Sequence, residues 1–132
     1  MDRTVRDLVV EYVSAAGEGR IDRLEELVHP AARFGGTVKS EATGREAFVQ
    51  GFRNLAPIVI RNEIRDIVVE GDRAFVLYEF VTDTPVGPVL SGELLTVDDG
   101  LIRSSTLLFD WRRWPEVMTE LQQRRSPSST GS

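Results

Sequence analysis

Two glutamates interrupt stretches that otherwise read as apolar strands: Glu79 in "LYEFVTD" and Glu93 in "VLSGELLTV". A carboxylate in such a run is costly unless it faces water, pairs, or works. If both share one dry face, burial and mutual repulsion raise one pKa, which gives a general acid beside a carboxylate base. Such a pair could open an epoxide, shift a proton next to a carbonyl, or drive a cyclisation. In the competing reading one or both pair with an arginine or meet solvent. Asn62, Ser91 and Ser105 are the polar side chains expected to support the pair by hydrogen bonding. Tyr12 sits on the apolar stripe of the first helix, where core packing is the first expectation and presenting its hydroxyl to a pocket the second.

Other candidate groups are few. The chain has no cysteine and one histidine, His29, which excludes thiolate metal sites, cysteine nucleophiles and multi-histidine centres. No metal and no cofactor are expected. His29 precedes Pro30 at an expected helix end, where it suits the free carbonyls. Asp110, in "FDWRRWP", is expected to cap a helix or pair with Arg112 or Arg113. Trp111 and Trp114 are expected to close a barrel mouth or pack at an edge. Arg61, Glu63 and Arg65 alternate as a charge ladder on one strand face.

These groups need elements to position them. Val5, Leu8, Val9, Tyr12, Val13 and Ala16 fall at helical spacing, ended by Gly17 or Gly19. A second helix runs through "IDRLEELV" and is stopped by Pro30. "AARFGG" reads as a short strand. Thr43 and Glu46 form a T-x-x-E capping box for a third helix with Phe48, Phe52 and Leu55 on its buried side. From Ile58 the period changes to two. Four strands follow, Ile58 to Val69, Arg73 to Asp83, Val89 to Val97 and Leu101 to Trp111, with Gly100 suited to a tight hairpin. Pro115 fits the first turn of a C-terminal helix. Segregated helices and strands mean α+β: three N-terminal helices on a curved, mainly antiparallel sheet, with a short C-terminal helix.

Counting register from the turns places Ile60, Asn62, Ile64, Asp66 and Val68 on one face with Phe75, Leu77, Glu79 and Val81. Val89, Ser91, Glu93, Leu95, Ser105, Leu107 and Phe109 complete that face, so Glu79 and Glu93 become near neighbours in a pocket. The other face then carries Tyr78, Phe80, Leu94 and Leu108, and a second copy of the chain is expected to cover it as a homodimer.

The 132 residues, 41% hydrophobic and 28% charged, suit one domain, expected over residues 1–125, with "SPSSTGS" (126–132) as a disordered polar tail. A net charge of −5 without a basic cluster argues against nucleic acid as a partner. No apolar run reaches membrane-spanning length and no signal-peptide pattern precedes the first helix, so no membrane partner and a cytoplasmic location are expected.

With this order of elements, "EYVSAAGEGRIDRLEELVHPAARF", "TGREAFVQGF" and "VDDGLIRSSTLLFD" resemble the NTF2-like superfamily, specifically its SnoaL-like branch. The resemblance implies a cone-shaped α+β barrel with a deep apolar pocket, commonly dimeric, related to ketosteroid isomerase, polyketide cyclases and limonene epoxide hydrolase. Carried over residue by residue, the isomerase's base falls at Gly36 and is missing, while its oxyanion-binding aspartate falls at Glu93. The epoxide hydrolase's tyrosine and asparagine fall at Phe34 and Gly36, its arginine and aspartate at Glu79 and Val81, and its last-strand aspartate at Leu107. The resemblance thus implies acid–base chemistry of the cyclase, isomerase or epoxide-opening type on a hydrophobic, polyketide- or terpene-like molecule. The alternative is a non-catalytic ligand-binding or dimeric accessory protein of the same fold. Glu93 and Glu79 are the candidate catalytic residues. Phe34, Asn62, Ser91, Ser105, Leu107, Phe109 and Tyr12 are the candidate substrate contacts.

Overall fold

The computed structural model describes residues 4–36 and 41–125, so the expected tail at 126–132 lies outside the described residues. Helices α1 (Val5–Gly17) and α2 (Ile21–Leu27) lead into β1 (Val28–Gly36), β2 (Ala42–Thr43) and α3 (Arg45–Leu55). A single 3-10 turn, Ala56–Ile58, opens the meander β3 (Val59–Glu70), β4 (Arg73–Thr82), β5 (Pro88–Asp98) and β6 (Leu101–Phe109), and α4 (Trp114–Arg125) closes the order. The six strands form one curved, unclosed sheet in the order β2-β1-β6-β5-β4-β3. Only the β1–β6 pairing is parallel, so the sheet is mixed and the architecture is the α+β one expected.

The helices cover the concave face. Leu8, Val9, Tyr12 and Val13 of α1 and Phe48 of α3 pack with Val76, Leu95 and Ile102 from the sheet in one buried cluster. Fully burying each such large apolar side chain stabilises the fold by about 1.5–3 kcal/mol relative to leaving it in water. Thr4 caps α1, its hydroxyl accepting the Asp7 amide at 3.0 Å. At Gly17 the end of α1 touches β3 so closely that a Cβ would lie 2.2 Å from the Asn62 nitrogen, which leaves no room for a larger residue.

Three local expectations are corrected. The Thr43–Glu46 capping box does not form: Thr43 belongs to β2, and Gly44 takes the N-cap position of α3 without a side-chain bond. His29 is not at a helix end but in β1, because the chain turns extended at Val28; its Nδ1 accepts the Ala31 amide and its Nε2 lies 3.8 Å from Asp98. The pairing of faces across the meander also differs. Val76 lies opposite Glu93 and Tyr78 opposite Ser91, so the even residues of β4 share the inner face with the odd residues of β5. Register shifts in β3 between Val59 and Arg61 and between Ile64 and Asp66 switch that strand's parity twice. Ile67 is therefore buried, and Ile60 and Val68 are exposed.

Candidate functional site

The first consequence of this register is that the two glutamates separate. Glu79 lies opposite Glu63 and Leu90 on the outer face, and its carboxylate accepts from Arg65 at 2.8 Å. It belongs to a surface ladder with Arg61 and Glu63, which corrects the expectation of a facing carboxylate pair. Glu93 is 1% exposed on the inner face. No described ionisable partner of opposite charge meets it; three hydroxyls do. Tyr78 donates to Oε1 at 2.7 Å, and Tyr12 and Ser105 donate to Oε2 at 2.8 and 2.6 Å.

Each donor has a separate structural origin. Tyr12 comes from the buried stripe of α1, Tyr78 from the strand beside Glu93, and Ser105 from the strand on its other side. Burial pushes the Glu93 carboxyl above its ordinary range, and the hydrogen bonds from Ser105, Tyr78 and Tyr12 oppose it. The same burial, together with the negative charge of Glu93, holds both tyrosines well above their usual pKa. Hydroxyl protons can rotate, so the cluster accommodates Glu93 with or without its proton. When Glu93 is protonated it can donate to the Tyr78 oxygen, which leaves the Tyr78 proton to serve another acceptor.

Beside this cluster lies an apolar cavity of about 310 Å³. Phe34, Phe48 and Phe52 form one aromatic wall, with ring centroids 5.2–5.8 Å apart. Phe109 and Trp114, 4.8 Å apart, form another with Phe80. Of the expected contacts, Phe34, Asn62, Ser91, Leu107 and Phe109 line this space. Tyr12 and Ser105 do not; they support Glu93 from behind. Glu93 does not line it either, and its link to the cavity is Tyr78, which does. Asn62 Nδ2 donates to the Val13 carbonyl at 2.9 Å, which fixes the amide's orientation, while its buried Oδ1 accepts from no described residue. Ser91 Oγ donates to the Val89 carbonyl.

The resemblance placed a missing base at Gly36, and the structure shows why no side chain stands there. Gly36 has φ +148°, and an added Cβ would lie 1.9 Å from the Leu107 carbonyl oxygen. Asp110 pairs with Arg112, which holds its carboxyl at about 2. Trp111 is exposed, whereas Trp114 lines the cavity. Tyr78 and Phe80, expected on the opposite, dimer-forming face, instead line the cavity from the inner face, and Trp114, expected at a barrel mouth or an edge, lines it too. The only sequence signal for the first two was strand parity, and for Trp114 its place one residue before the helix-starting Pro115.

Among the described residues no cluster of histidine, cysteine, aspartate and glutamate could hold a metal ion, and no helix is long and apolar enough to cross a membrane. A search of curated proteins finds none that matches this sequence. Solved structures do share the fold. An NTF2-like protein of unknown function from Cytophaga hutchinsonii has a TM-score of 0.76 at 19% identity, with 88% of this chain and 98% of that one covered. A protein from Sinorhizobium meliloti provisionally assigned as a polyketide cyclase has a TM-score of 0.68 at 22% identity, covering 80% and 100%. A de novo designed protein with a curved β-sheet scores 0.72 at 22% identity, covering 90% and 94%. These likenesses bear on the fold alone. A family model of the SnoaL-like domain matches residues 9–105, nearly three quarters of the chain, and the protein belongs to that family of NTF2-like fold.

Proposed function

We propose that this protein is a small-molecule enzyme of the cyclase or isomerase type, acting on a hydrophobic substrate with a polar oxygen such as a carbonyl or epoxide. The observation that carries the reading is the Tyr78–Glu93 pair: a pocket-facing phenol backed at 2.7 Å by a buried carboxyl whose pKa is raised by burial. The substrate oxygen would accept a hydrogen bond from Tyr78, while protonated Glu93 donates to the Tyr78 oxygen. Negative charge developing on the substrate oxygen is then met by Tyr78 of β4, held in place by Glu93 of β5, on the wall of a mainly apolar cavity. Tyr12 and Ser105 keep Glu93 in place and act as positioning residues. Phe34, Leu107, Phe109 and Trp114 would hold the apolar body of the substrate. Glu79 has no part in this reading.

A second reading, non-catalytic binding, is favoured by one observation: among the described residues Tyr78 is the only ionisable side chain lining the cavity, so none of them there is a ready proton acceptor. Both readings predict that a hydrophobic ketone binds better than the hydrocarbon of the same shape, and that Tyr78→Phe removes the preference. A neutral hydrogen bond contributes about 0.5–1.5 kcal/mol, so the expected loss is up to about tenfold in affinity. A Tyr78→Phe variant that still prefers the ketone overturns the placement of the oxygen. Proton NMR of the bound ketone in deuterated water separates the two readings. Exchange of the α-protons faster than in buffer supports the enzyme, and exchange at the buffer rate leaves a binding protein.

A further inference from the structure

A ligand needs a way into the cavity, and α3 carries a glycine where its apolar stripe should continue. Phe48, Gly51, Phe52 and Leu55 fall at helical spacing, and all four line the cavity. Three are large and apolar; the fourth has no side chain. A glycine inside a helix costs stability relative to alanine, unless close packing or a left-handed backbone requires it. Neither applies to Gly51. Its backbone is not left-handed, and an added Cβ would have no neighbour within 4 Å outside its own stretch of α3. Gly17 and Gly36 differ in this respect, because a Cβ there would run into the backbone of β3 or β6.

The missing side chain lies at the edge of the cavity. One turn later, Leu55 packs with Trp114 and Met118 of α4 against the buried cluster Ile58, Val117 and Leu121, so there the two helices are joined. Gly51 is exposed and still lines the cavity, so the surface opens at this turn. Asn54, also exposed, lines the cavity beside it; its Oδ1 accepts from Gln50 at 2.8 Å, and Arg53 is paired with Glu25. These rim groups sum to zero charge, which suits an uncharged ligand. We propose that Gly51 is the specificity-determining residue of the cavity's entrance. It leaves open the passage by which an uncharged hydrophobic ligand enters, and it bounds the width of what can enter. The proposal rests on the reading of the cavity as a ligand site, and it holds for an enzyme and for a binding protein alike.

Stopped-flow association of the neutral fluorescent probe N-phenyl-1-naphthylamine tests it, with urea denaturation alongside. Leucine is a good helix former, so Gly51→Leu should raise the urea midpoint. It should lower both the association and the dissociation rate of the probe by about tenfold, because entry and exit then wait for a conformational change, while Kd moves less. Gly51→Ala should raise the midpoint and slow the probe to a smaller extent; it carries the test if leucine prevents folding. Glu46→Leu, exposed on α3 and outside the cavity lining, should leave both rates unchanged. Unchanged rates in Gly51→Leu overturn the proposal and move entry to another place, such as beneath a displaced α4. A change confined to the dissociation rate marks a wall contact and overturns it too. So does a midpoint lowered by Gly51→Ala, since the glycine would then have a packing role. A wild-type chain that does not bind the probe overturns both the proposal and the reading of the cavity on which it rests.

Discussion

Replacing Glu93 by glutamine isolates the conflict at the centre of the site, because the substitution keeps the shape and removes the charge. Burial raises the Glu93 pKa in the fold, so the folded chain holds its proton to higher pH than the unfolded chain, whose carboxyl titrates near 4.5. The sign follows directly. Below that value both states are protonated and Glu93 costs nothing. As pH rises toward the folded pKa, the unfolded chain has already released its proton, and stability falls. Each unit by which the folded pKa exceeds the unfolded one lowers stability by about 1.4 kcal/mol above the window. Glutamine is neutral throughout and can accept from one hydroxyl and donate to another, so Glu93→Gln should match the wild type within about 1 kcal/mol in acid. Above the window it should be the more stable chain. Urea denaturation of both chains from about pH 4 to about pH 9 gives the difference, in which all other titrating groups cancel. A difference independent of pH refutes the reasoning. A glutamine variant that loses ground as pH rises shows instead that the three hydroxyl donors outweigh burial. Glu93→Ala removes shape as well as charge. It leaves the Tyr12 and Ser105 hydroxyls unpaired in the core at about 2–6 kcal/mol together, against a typical total of 5–15 kcal/mol.

Other perturbations separate the site from its surroundings. Glu79→Gln should leave ligand binding unchanged and cost less than about 1 kcal/mol, since it breaks only a partly exposed ion pair with Arg65; a loss of binding would return Glu79 to the site. Gly36→Asp, which adds the carboxylate the resemblance lacks, should lower the urea midpoint sharply or prevent folding, because its Cβ meets the Leu107 carbonyl. A soluble variant of wild-type stability contradicts the close approach. Trp114→Phe should abolish the change in tryptophan emission on binding a hydrophobic ligand, whereas Trp111→Phe should preserve it, since only Trp114 lines the cavity; the reverse pattern would move the site.

Much of the fold was legible because its signals are local. Helical spacing in α1, the change to a period of two after Ile58, and Pro115 before the last helix each depend on a few neighbouring residues. The capping box failed for an equally local reason: Thr43 was recruited as the partner of Arg33 in β2, and a strand partner outweighs a cap. Phe34, Leu107 and Phe109 do line the cavity, because apolar residues on β1 and β6 needed only the inner face to be the covered one.

The error over Glu79 has a different origin, and it bears on which chemistry the site can do. Alternation fixes which residues of one strand share a face, but not which face of the next strand they meet. That depends on the loop, and here Val81 pairs with Pro88, so odd residues of β4 meet even residues of β5. Ordinarily a polar outer face exposes such a slip. Here Phe75, Leu90, Leu94 and Leu108 put an apolar patch on the outer face as well, so the pattern along β4 and β5 reads well either way. The slip exchanged Glu79 for Tyr78 and turned a carboxyl–phenol pair into a carboxyl pair. A carboxyl pair contains its own base. A phenol held by one buried carboxyl supplies a hydrogen-bond donor and, with Gly36 closed against Leu107, leaves no carboxylate or imidazole on the cavity wall among the described residues. The register that this apolar outer surface concealed thus leaves Tyr78, among the described residues, as the single ionisable side chain on the cavity wall.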